Sequence, residues 1–143
     1  MEPISNLEGK RVAIIGLGIS QVDYAIGSQN GREWDEVWCI NSAALTYHCD
    51  RLFMMDPASR FLDTEDAGRQ TKAMQYVLEN AEIPIYTCEL DFRVPKAVLY
   101  PLEEVCNYCK CAYLNNTVAY TLAFAMYNNC LLYTSDAADD MQC

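Results

Sequence analysis

With 143 residues, 52 % of them hydrophobic and 21 % charged, the chain is long and apolar enough for one folded domain with a sizeable core, and its composition is not that of a disordered segment. Twenty acidic against ten basic side chains give a net charge of −10, which repels nucleic-acid backbones and anionic lipid, so neither is expected as a partner. No run approaches the roughly 18 to 20 apolar residues of a membrane span, and no basic stretch followed by an apolar one opens the chain; a cytoplasmic protein working on a small molecule is the expectation.

The first element in chain order is RVAII, Arg11–Ile15, a continuous β-branched run of the kind that forms a strand covered on both faces. A helix is expected over 20–27, with Ser20 as its N-cap and Val22, Tyr24, Ala25 and Ile26 apolar on it. EVWCI, Glu36–Ile40, reads as a second strand and 51–55 as a third. The stretch 64–80 reads as a helix opened by Glu65 and Asp66, which suit its positive end, with Ala67, Met74, Val77 and Leu78 apolar. A fourth strand is expected over 83–87 and a last, largely apolar helix over 118–127. Strands alternating with helices imply right-handed crossovers and a mostly parallel sheet: an α/β, Rossmann-like three-layer sandwich.

Ligands of such sheets bind beyond the carboxyl ends of the strands. The residues there are Gly16 to Ser20, then Asn41 and Ser42, then Asp56 to Ser59, then Cys88 to Asp91, and polar or turn-forming residues recur at all four places. Gly16 and Gly18 permit a tight turn with close backbone approach, and a helix opening near Ser20 offers N–H groups to an anion. The dinucleotide fingerprint G-x-G-x-x-G wants a small third residue where Gln21 stands, and an acidic residue after the second strand where Asn41 stands. NAD or NADP is therefore less favoured than a mononucleotide, and a glycine turn serving only the passage from strand to helix is the plainer alternative.

The segments VAIIGLGIS, DEVWCINSA, DRLFMMDPAS and AYLNNTVAYTLAFAMY resemble the Rossmann-like group that includes the MptE-like pterin diphosphokinases, motility accessory factors and bacterial CMP-sialic-acid-dependent sialyltransferases, phage-encoded members above all. The resemblance spans residues 10–127, and Ile19 stands where the group's G-x-G-P-S turn has proline. It implies that Gly16, Gly18 and Ser20 line phosphates and that Asn41, with Ser42 beside it, meets the ribose or base. It further implies that Asn115, Asn116 and Thr117 open the late helix against further phosphate or base. The function implied is a nucleotide-dependent transferase, either a nucleotide-sugar glycosyltransferase or a diphosphokinase; a nicotinamide oxidoreductase and a non-catalytic nucleotide-binding or interaction module are the alternatives.

Other constellations have ordinary readings beside the chemical ones. Asp56, Glu89 and Asp91 could hold a Mg²⁺ that accompanies a nucleotide, or be solvated loop charge. Arg60 and Arg93 could clamp a phosphate, or lie on the surface. His48, the sole histidine, precedes the third strand, at the end of the sheet away from the crevice. Cys106, Cys109 and Cys111 lack the second cysteine pair of a structural metal site, and in a helix over Leu102–Cys109 the first two would share a face and pack. No metal ligand is assigned. Finally, CLLYTSDAAD, residues 130–139, is similar to translated sequencing-adapter DNA, so the domain is expected to occupy 1–129, incomplete at its carboxyl end, with 130–143 a non-native or disordered tail.

Overall fold

A computed structural model describes residues 1–19, 21–31, 33–64 and 70–134, the last three through their backbone. Among the described residues six strands, β1 Arg11–Ile15, β2 Glu36–Ile40, β3 Arg51–Phe53, β4 Ile85–Thr87, β5 Ala97–Leu99 and β6 Leu131–Thr134, form one sheet in the order β5-β4-β3-β2-β1-β6. All neighbours pair in parallel. The α-helices of the described residues, α1 Gln21–Gln29, α2 Ser59–Leu62, α3 Thr71–Asn80, α4 Leu102–Cys109 and α5 Thr117–Tyr127, complete an α/β fold of the Rossmann-like kind.

The alternation of side chains along the strands sorts the core into two layers. Val12 and Ile14 of β1, Trp38 and Ile40 of β2, Phe53 of β3 and Tyr86 of β4 point to one face, where they meet Ala119, Leu122, Ala123 and Phe124 of α5. Ile15, Cys39, Leu52 and Ile85 point to the other, under Met74 and Leu78 of α3, with Tyr24 of α1 packed against that layer. We call these the aromatic and the aliphatic face. Helix α5 is apolar nearly all round because it lies inside the domain: Ala119, Thr121, Leu122, Ala123, Phe124, Ala125 and Tyr127 are all buried.

Connectivity determines where a ligand can enter. Strands β2 to β5 step outward on one side of β1, and β6 returns on its other side. The connection leaving β1 carries α1 over the aliphatic face, whereas the connection entering β6 carries α5 over the aromatic face. Chain order therefore reverses at β1, which places the crevice of a doubly wound sheet at the carboxyl end of that strand.

Several expectations need correction. Helix α1 runs to Gln29 rather than 27, with Gly27 buried inside it. β3 stops at Phe53 and β4 begins at Ile85, because only those residues find ladder partners. The helix expected over 64–80 begins at Thr71, where the apolar spacing Met74, Val77, Leu78 supports it; the acidic opening at Glu65 and Asp66, and Ala67, lie outside the described residues. Helix α2 and strand β5 went unforeseen. Strand β6, within the stretch assigned to the tail, pairs with β1 from Arg11↔Leu131 to Ile14↔Thr134, so the sheet extends past 129; residues 135–143 lie outside the description.

Candidate functional site

The rung Ile15↔Cys39 is the last between β1 and β2, so Gly16 lies one residue and Asn41 two residues beyond a shared level. Adjacent strands are about 4.8 Å apart, which makes the glycine turn and the Asn41 segment neighbours at the switch point. Gly16 is buried and Gly18 half-buried. Ser20 lies outside the described residues.

Asn41 is the unusual residue at this edge. It begins a short 3₁₀ turn, Asn41–Leu45, with φ of 51°, in the left-handed region that disfavours a side chain by roughly 1 kcal/mol even though asparagine tolerates it best. Its Oδ1 is buried and has no hydrogen-bond partner, a further penalty of about 1 to 3 kcal/mol. Strain and an orphaned acceptor concentrated in one residue are hard to explain by folding alone and are common where a ligand completes the structure. Ser42 is half-buried beside it.

Asn115, Asn116 and Thr117 come to the same edge from the opposite face, because α5 runs antiparallel to the strands it covers. Asn116 is the N-cap: its Oδ1 accepts the N–H of Ala119 at 2.8 Å. The two helix openings at this edge differ in charge. The first turn of α1 contains Asp23, which opposes an anion, and the N–H groups of Gln21 and Val22 already donate to the carbonyls of Gly18 and Ile19. The first turn of α5 has no acidic residue, so its positive end is the more favourable of the two for a phosphate.

The edge's arginines are engaged. Arg60 Nη1 donates to Asp56 at 2.8 Å. Arg93 grips Asp91 at 2.8 Å and Asp63 at 2.5 Å, and these bonds hold the Asp91 carboxyl down to about 2 and push Asp63 below its usual range as well. Asp56 and Asp91 thus neutralise arginines. Among the described residues no group of three or more histidine, cysteine, aspartate or glutamate side chains is arranged to hold a metal ion.

Thr87, which sequence reasoning passed over, ends β4 with its Oγ1 buried and without a hydrogen-bond partner. It lines a cavity of about 10 Å³ with Met54, Glu89 and Asp91, room for about one water and far too small for a nucleotide. The only sequence signal was a polar residue closing an apolar strand. Larger open hollows lie at the opposite, amino edge: about 380 Å³ beside Arg11 and Trp34, and about 300 Å³ beside Tyr47, His48 and Tyr76. His48 is therefore away from the switch point.

No family of known proteins, no curated protein and no solved structure matches the chain. Among the described residues no helix is long and apolar enough to cross a membrane.

Proposed function

We propose that this chain is a nucleotide-binding domain of the transferase type, which holds the phosphates of a mononucleotide or nucleotide sugar over Gly16, Gly18 and Ser20. Asn41 and Ser42 meet the ribose or base, and Asn115, Asn116 and Thr117 supply the head of α5 to the far end of the ligand. The transferred group is a sugar or a diphosphate. The observation that carries this reading is Asn41, whose strained backbone and orphaned Oδ1 would gain a donor from a ribose hydroxyl or a base amino group at the switch point. Any Mg²⁺ would arrive on the nucleotide's phosphates, since Asp56 and Asp91 are committed to arginines.

A second reading, a nucleotide-binding module without catalysis, is favoured by the engagement of both Arg60 and Arg93 with carboxylates. Calorimetry with CMP, CDP, UDP and ATP tests binding: heat with at least one of them, lost in Asn41→Ala with the circular dichroism unchanged, is expected. Absence of heat with all four, or thermal protection by NAD or NADP alone, overturns it. Turnover of a nucleotide sugar or of ATP would then separate the transferase from the module.

A further inference from the structure

The three clustered cysteines 106, 109 and 111 do not form a metal group, yet they are not equivalent packing residues either. Helix α4 ends in a left-handed turn at Lys110, φ 56° and ψ 41°, a position usually given to glycine. The turn lets the N–H of Cys111 return to the carbonyl of Cys106 at 3.1 Å, the long-range bond of a Schellman closure, whose two end residues normally make an apolar side-chain contact. Here both are cysteines, and burial, then the neighbouring Cys111, pushes the Cys106 thiol up. With standard bond lengths, a 3.1 Å bond between those backbone atoms keeps the two Cα atoms within about 7 Å at most, the upper edge of the range a disulfide spans. Cys109 Sγ donates to the carbonyl of Ala123 on α5 at 3.9 Å.

Access separates this pair from the buried cysteines among the described residues. Cys39 and Cys49 are 0 % and 5 % exposed. Cys106 and Cys111 are both partly open to solvent, at the start of the 112–116 stretch that leads to the cap of α5.

We infer that Cys106 and Cys111 are a redox pair that closes to a disulfide when the chain meets a small disulfide oxidant such as oxidised glutathione, tethering the 112–116 stretch to α4. One cysteine thiolate attacks the oxidant's S–S bond and releases one small thiol, leaving a mixed disulfide. The other thiolate attacks the protein-side sulfur and releases the second small thiol. Two protein thiols are oxidised, one small disulfide is reduced, and the cysteines' two protons end on the two small thiols. This holds whether or not the chain binds nucleotide.

Trypsin supplies the test, because it cuts after Lys110, between the two cysteines. After treatment of the full chain with oxidised glutathione, a non-reducing digest should show peptide 97–110 joined to peptide 111–143, with fragment sequencing naming Cys106 and Cys111. The link should persist in Cys109→Ser and vanish in Cys106→Ser and Cys111→Ser, and amide exchange across 112–116 should slow on oxidation and recover on reduction. A bridge confined to 97–110, a bridge through Cys109, or no bridge overturns the pair; unchanged exchange overturns the tether. Fragment sequencing of the unmutated chain decides the pairing even where a variant folds poorly.

Discussion

The two faces of the sheet are built to different standards at its centre. On the aromatic face, Phe124 of α5 meets Tyr86 at 4.7 Å, Phe53 at 5.4 Å and Trp38 at 5.7 Å between ring centroids. On the aliphatic face α1 buries only Gly27, while Val22 and Ile26 are 52 % and 51 % exposed and Ile19, just before the helix, is 92 % exposed. One helix is a structural centre; the other is lightly held and borders the glycine turn. Elements that meet ligands are commonly drawn from the less stable parts of a fold, so the contrast places rigidity under the crevice and adaptability at its rim.

The largest expected break in that comparison is Phe124→Ala, which removes a fully buried ring from the aromatic cluster and should destabilise the chain by about 3 to 5 kcal/mol in urea unfolding. Asn116→Ala removes the cap of α5 and should reduce stability by about 1 kcal/mol in the same assay. Asn41→Gly has the opposite sign: it relieves the left-handed strain and deletes the orphaned acceptor, so stability should rise by about 1 kcal/mol while nucleotide binding falls.

A smaller effect is expected from Arg93. Its partners Asp63 and Asp91 titrate below their ordinary range in the folded chain, so their contribution is present above the unfolded carboxylate value near pH 4 and is lost as pH falls toward about 2. Arg93→Gln should flatten the melting temperature's dependence on pH across that window. The smallest is Ile26→Ser, whose side chain is half exposed; a change within about 0.5 kcal/mol is expected, and a loss comparable to Phe124→Ala would erase the contrast.

Legibility in the sequence followed burial. β1 and β2 were readable residue for residue because both are five-residue runs flanked by turns and covered on both sides. β5 was not: three residues after Pro95, paired only with β4, give no periodicity. β6 was hidden by the resemblance of its sequence to adapter DNA, although Asn129, with φ of 55°, is the left-handed stop that turns α5 back toward the sheet. Of the candidate site, the glycine turn and Asn41 are marked by the strand ends, whereas Asn116 is reached only through the resemblance carried by AYLNNTVAYTLAFAMY. The engagement of Arg60 and Arg93, the strain at Asn41 and the backbone closure across Lys110 depend on backbone geometry and on partners distant in sequence, such as Asp63 for Arg93, which spacing alone does not reveal.

The most direct test of the switch-point site is an NMR titration of the labelled chain with CMP and ATP, following backbone amides and the Asn41 side-chain amide. Shifts centred on Gly16, Gly18, Asn41 and Ser42, with a second group at Asn115 to Thr117, are expected. Shifts centred on Tyr47 and His48 at the opposite edge, or none with either nucleotide, would contradict it.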